Sequence, residues 1–287
     1  MKKHFLLLPL LGLLVACGGN STTLPSTSEN TETSSSENKD PLDLPAKTMT
    51  FEEALADTTT TEHHVSIEGY VQLATISNIG DKEQTVNFYG RKNQTNGHYI
   101  YTNMPVGNDK NQMKKLPLEY DKKDVVIHGS KNENIGLNQR VKMTGLLYTI
   151  KSSTSDSPGT VYFKVSTITP VAEKDFDYSS WKTVKSFDDV AKTENNHNEY
   201  YLEGTLDVPM FVLTGWEMGL DLKKGGQTVS IKILTGDGPN QMENLEDNWT
   251  KKDIKIRNHK GQLVKPGQKV KVYGVAALDG LHVERIE

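Results

Sequence analysis

"GNDKNQMKKLPLEYDKKDVVIHG" runs from Gly107 to Gly129, and "GDGPNQMENLEDNWTKKDIKIRN" runs from Gly236 to Asn258. Gly, Asn-Gln-Met, Leu and Lys-Lys-Asp recur between them at a constant offset of 129. Extended without a gap to 107–145 against 236–274, the two stretches share 14 identities in 39 positions, Asn111/Asn240, Met113/Met242 and Gly145/Gly274 among them. The likeness continues upstream in the same order. "TFEEALA" at Thr50 matches "SFDDVAK" at Ser186, "VSIEGYV" at Val65 matches "YYLEGTL" at Tyr200, and "TVNF" at Thr85 matches "TVSI" at Thr228. Landmarks kept in order over about 100 residues mean that the chain carries one unit twice. The units span 47–172 and 183–287, joined by a linker at 173–182.

Within each unit, Thr50 and Ser186 precede a Phe and two acidic residues, the pattern of a capped helix start. "HVSIEGYVQLATI" and "EYYLEGTLDVPMFVL" alternate like strands with an internal Gly, and "TVNFYG" and "TVSIKIL" add further strands. Asn111 and Asn240 are expected to cap a short helix that turns Met and Leu inward. The Lys-Lys-Asp stretch then begins another strand, and "NQRVKMTGLLYTI" and "GQKVKVYGVAAL" each lead to a last one.

The pieces Glu68-Gly69, Glu203-Gly204, the Asn-Gln-Met turn and "KPGQKVKVYG" from Lys265 together resemble the OB-fold. That resemblance implies an all-β chain of two tandem small Greek-key barrels, each with a helix between its third and fourth strands. A different small barrel or a sandwich stays open at this point.

The chain opens "MKKHFLLLPLLGLLVAC": a basic start, an apolar run and small residues, which is a secretory signal peptide at 1–16. Leu14-Val15-Ala16-Cys17 resembles the bacterial lipobox. That resemblance implies acylation of Cys17 with palmitate-type chains, cleavage before it, and anchoring in the membrane of the cell envelope. Gly18 follows the cysteine where an Asp would signal inner-membrane retention, so the outer membrane is the expected address. Residues 17–46 are rich in Ser, Thr, Asn and Glu without an apolar period, and predict a disordered tether with a reach of about 30 Å.

Cleavage removes Lys2 and Lys3 and leaves 31 basic against 37 acidic residues, a formal charge of −6. That balance argues against a partner held through nucleic-acid phosphates, although single-stranded nucleic acid is the alternative that the fold resemblance suggests. Cys17 is the only cysteine, so no intramolecular disulfide forms. No P-loop, nucleotide fingerprint, serine-hydrolase elbow or zinc-protease motif occurs, and no enzyme or cofactor is expected. An envelope hydrolase with an unrecognised site is the other alternative. His63-His64 lack a third ligand at a metal spacing, and the Asn-Gln-Met loops lack the Glu that closes a calcium loop.

Aromatic residues carry the remaining signal, because OB-like barrels bind extended ligands on aromatic faces. "NGHYIYTNMP" and "PMFVLTGWEMG" stand out, which nominates Tyr99, Tyr101, Phe211 and Trp216 as ligand-binding residues. Phe176, Tyr178 and Trp181 in the linker suggest that it docks rather than hangs free. The expected function is that of a non-catalytic binding or adaptor lipoprotein that recognises an envelope protein, a peptide or a glycan.

Overall fold

The computed structural model describes residues 40–72, 82–117, 120–152, 159–209, 215–246 and 248–287. The signal peptide, Cys17, most of the tether and Phe211 lie outside the described residues. In the first repeat the strands are β1 (Lys47–Met49), β2 (His63–Gln72), β3 (Glu83–Tyr89), β4 (Ile100–Pro105), β5 (Ile127–His128), β6 (Asn134–Ile135), β7 (Arg140–Ile150) and β8 (Thr160–Pro170). The second repeat supplies β9 (Glu199–Asp207), β10 (Glu217–Lys224), β11 (Gln227–Leu234), β12 (Ile256–Arg257), β13 (Leu263–Val264), β14 (Lys269–Ala277) and β15 (Gly280–Ile286).

Strands β9-β10-β11-β15-β14 close into a barrel, with β11 and β15 parallel and the remaining neighbours antiparallel. The first repeat closes the same ring as β2-β3-β4-β8-β7, with β4 and β8 parallel and β7 returning to β2; β1 adds a parallel edge to β2. Numbered within each repeat, both rings read 1-2-3-5-4, the Greek-key order of an OB barrel. Alternation places the core: β4 buries Ile100, Thr102 and Met104, and turns Tyr101 and Asn103 outward. One core gathers around Ile67, Phe88, Met113 and Phe163, the other around Leu202, Ile231, Met242 and Leu281.

The recurring glycines have a steric cause. A Cβ on Gly69 would stand 2.5 Å from the carbonyl oxygen of Tyr89, and one on Gly204 would stand 2.8 Å from Leu222 Cγ. At these points the first strand of each barrel bends closely under the second. A bulge recurs too, between Thr144 and Gly145 and between Tyr273 and Gly274.

The Asn-Gln-Met motif does something other than start a helix. Asn111 and Asn240 adopt left-handed φ values of 62° and 61°. Their side-chain oxygens accept from the backbone N–H of Ile168 (3.0 Å) and Ile286 (2.8 Å), pinning the last strand of each barrel. The next oxygens accept locally, Gln112 Oε1 from Asp109 N (3.1 Å) and Gln241 Oε1 from Gly238 N (3.0 Å). Met113 and Met242 are fully buried, and their N–H groups reach back to Pro105 and Leu234. No α-helix lies among the described residues between β4 and β7, or between β11 and β14. The carbonyls there accept from N–H groups across the connection, such as Gln112 O from His128 N and Gln241 O from Arg257 N, which leaves no i→i+4 ladder.

Lys-Lys-Asp forms a 3-10 turn in both copies, not the start of a strand. The Thr50 box caps a short α-helix, α1 (Phe51–Leu55), whereas the Ser186 box caps a single 3-10 turn. "TVNF" and "TVSI" are not equivalent either: Thr85 lies on the second strand of its barrel and Thr228 on the third of the other. Both sequences are short β-branched runs, and nothing in such a run states its order in the sheet.

Candidate functional site

The outward positions of β4, β8 and β7 come into register as a row. Tyr101 pairs with Tyr162 across the parallel β4–β8 contact, and Tyr162 pairs with Tyr148 across β8–β7. The rings stack: 5.4 Å and 20° between Tyr101 and Tyr162, 5.6 Å and 17° between Tyr162 and Tyr148. Tyr99, just ahead of β4, meets Tyr101 edge-on at 4.9 Å, with the two hydroxyls 2.8 Å apart. Tyr89 continues the row inward, 5.6 Å from Tyr99. At the far end the Lys164 ammonium lies 5.4 Å over the Tyr148 ring and is paired with Glu62.

Burial, and then the hydrogen bond with Tyr101, raise the pKa of Tyr99; burial pushes Tyr89 up to about 12. Tyr89 and Tyr99 are therefore neutral at ordinary pH. Tyr99, Tyr101, Tyr162 and Tyr148 are half-buried on the outside of the barrel. With both faces of Tyr162 occupied by neighbours, the row presents ring edges and hydroxyls.

The second barrel has the same face with different contents. By strand register, Tyr101, Tyr162 and Tyr148 correspond to Ser230, Gly280 and Ala277, and Glu83, Lys164 and Leu146 correspond to Glu217, His282 and Val275. There the 90–99 loop of the first barrel lies over the part of the face at Glu217, His282 and Val275. Thr95 donates to Glu217 Oε1 (2.5 Å), Asn96 Nδ2 to the Ala276 carbonyl (3.4 Å), and a Cβ on Gly97 would touch Val275 at 3.4 Å. His282 stands between Glu217 (3.0 Å) and Asp279 (3.1 Å). Burial alone would lower its pKa, but the two carboxylates outweigh burial and raise it.

The same loop carries the strongest polar contact between the barrels. Arg91 forks onto both carboxylate oxygens of Glu284 (2.8 and 3.0 Å) and reaches Glu199 (2.6 Å). Its guanidinium also lies against Phe176 (5.1 Å) and Trp181 (5.2 Å), so the 173–182 linker is docked over the joint. Asn93 is tied to Asn138 on one side and to the Glu284 carbonyl and Gln241 on the other. Elsewhere on the joint, Lys122 donates to the carbonyls of Trp216 (2.8 Å) and Thr235 (2.9 Å); burial lowers its pKa to about 8.

Of the residues nominated from sequence, Tyr99 and Tyr101 come together on the row. Trp216 does not join them: it packs against the core of the first barrel, edge-on to Tyr120 at 5.9 Å. Its apolar surroundings reflect the joint between barrels. Tyr148 and Tyr162 complete the row from outside the two singled-out stretches, although the alternation of "TGLLYTI" and "TVYFKV" places both outward. A cavity of about 1020 Å³ also opens between the barrels, lined by residues such as Tyr70, Arg140, Glu173 and Arg285. Among its charges Arg140 pairs with Glu68 (2.5 Å) and Lys92 with Glu173 (3.3 Å).

No protein-family model matches the chain, and no curated protein matches it. Among solved structures, one described as "Structural mimicry for functional antagonism" is similar at 10% identity, covering 79% of this chain and 92% of its own, with a TM-score of 0.21. The Ifi202 HINa domain in complex with 20-bp double-stranded DNA is similar at 11% identity, covering 62% of this chain and 79% of its own, with a TM-score of 0.19. Superpositions of that quality leave the fold to be argued from the strand order.

Proposed function

We propose that this chain is a lipid-anchored, non-catalytic binding or adaptor protein of the bacterial cell envelope, working from the outer membrane. The open tyrosine row on a closed barrel carries the reading. Tyrosines offer large contact area at low conformational cost and are enriched where proteins bind. The second barrel has no aromatics at the equivalent positions Ser230, Gly280 and Ala277. The lipobox at Leu14–Cys17 and the polar tether support anchoring at a distance from the membrane. The ligand is an envelope protein, a peptide or a glycan.

Affinity capture from solubilised envelopes, with soluble Leu44–Glu287 as bait, tests this reading. A stoichiometric partner retained by the native sequence and lost from Tyr101→Ser/Tyr162→Ala supports it. Retention that ignores both substitutions removes the site. Single-stranded DNA bound in low salt and released steeply as salt rises would move the assignment to nucleic acid. Metabolic labelling with an alkyne fatty acid checks the anchor, and Cys17→Ser should abolish the label.

A further inference from the structure

We propose that Asn96 is a self-modification site: the backbone nitrogen of Gly97 displaces its side-chain amide, and the carboxylate left behind loosens the joint between the barrels. This goes beyond the binding reading and does not depend on it. Asn96-Gly97 is the only Asn-Gly pair in the chain. It lies in the 90–99 loop, the segment through which the first barrel meets the second at Glu217 and Ala276.

The loop is arranged for the reaction at three atoms. Glycine has no Cβ to shield its nitrogen from the side chain before it, and Gly97 holds a left-handed φ of 94°. The Gly97 N–H donates to no acceptor among the described residues, so no hydrogen bond has to break before the nitrogen reacts. The carbonyl of the same peptide, Asn96 O, accepts from Gln94 Nε2 at 3.2 Å. A donor there stabilises the negative charge that the peptide takes on when its N–H is lost. Asn96 itself is half-buried and open to the water that the second step consumes.

The step balances with water as the one co-reactant. Gly97 N gives up its proton and bonds to Asn96 Cγ; the Cγ–Nδ2 bond breaks, and Nδ2 leaves as ammonia. Water then opens the cyclic imide at one carbonyl or the other, which yields aspartate or isoaspartate.

The product cannot make the contact that the asparagine makes. Asn96 Nδ2 donates to the Ala276 carbonyl across the joint (3.4 Å). A carboxylate in its place sets acceptor against acceptor. Isoaspartate also adds a methylene to the backbone beside Gly97, where a Cβ would already stand 3.4 Å from Val275. The equivalent connection of the second barrel is Gly225-Gly226, with no asparagine to convert.

The test incubates the purified full chain in warm, mildly alkaline buffer. The tryptic peptide Asn93–Lys110 is followed by mass spectrometry, with fragmentation to place the acid and an unaged sample digested alongside to set the zero. Asn96 should convert at least tenfold faster than Asn93, Asn103 and Asn108 in the same peptide, to a mixture of aspartate and isoaspartate. Aged protein should melt earlier, and Asn96→Asp should reproduce part of that shift without ageing. Asn96→Gln keeps an amide but has to close a larger ring, so it should hold its melting temperature through the same incubation. Conversion at Asn96 no faster than at its three neighbours, while the excised peptide converts there in solution, overturns the site. Conversion with the melting temperature unchanged, or ageing of Asn96→Gln that matches the native sequence, overturns its effect on the joint.

Discussion

The two barrels share strand order, glycine positions, bulges and the Asn-Gln-Met clasp, yet they differ in one connection and one face. Between the second and third strands the first barrel has residues 90–99, and the second has only Gly225 and Gly226. On the outer face the first has stacked tyrosines where the second has Ser230, Gly280 and Ala277. The long loop of one copy lies on the other at Glu217, His282, Ala276 and Val275, next to those small residues along β14 and β15. A repeated framework can thus become a joint by changing what it presents.

The largest effect should come from breaking that joint at its buried charge pair. Glu284 is 1% exposed, and Arg91→Met leaves its carboxylate without its cationic partner at a cost of about 3–5 kcal/mol. Calorimetry should then show the second barrel melting ahead of the first. A single unchanged transition would mean that the barrels do not depend on each other.

Next in size are Asn111→Ala and Asn240→Ala. Each strands the N–H of an isoleucine on the last strand and forces Ala into a left-handed conformation, for about 2–3 kcal/mol by denaturant titration. The two should cost alike; a large inequality would show that the copies use the motif differently.

A smaller, pH-dependent effect separates the barrels. The pKa of His282 is raised, so its contribution is complete below the ordinary value of 6.5 and fades as pH rises through the folded value. Glu217 is opposed by burial, yet its pKa is lowered by His282 and Thr95. Its contribution is complete above 4.5 and fades as pH falls through the folded value. The joint is therefore tightest between pH 4.5 and 6.5. His282→Gln should flatten the fall in melting temperature above that window, whereas a change at the equivalent Lys164 should leave it in place.

Smallest is Tyr99→Phe, which removes one half-buried hydroxyl contact and should cost about 0.5–1 kcal/mol. A larger loss would mean that the row holds the first barrel together and is not free for a partner.

The repeat, and with it the barrel class, was legible because the Asn-Gln-Met connection is bonded identically in both copies and tolerates little change. The same residues misled about local structure, since an Asn that caps a helix and an Asn in a left-handed turn look alike in sequence. Tyr99 and Tyr101 were visible through alternation. Tyr148 and Tyr162 needed the register of β4 against β8, which depends on how the barrel closes. Nothing in the sequence links Arg91 to Glu284, because their contact exists only once the two barrels have docked. Trp216 failed for the same reason: an aromatic at a joint and an aromatic at a ligand site share one signature.

The Gly225-Gly226 turn has a consequence for assembly. A contact in which one unit's loop meets the next unit's face is directional, and without a stop such a contact grows into a filament. Here the second unit offers no such loop between its second and third strands, because two glycines make the whole connection. The turn is a chain terminator in the polymer sense for that one mode of contact.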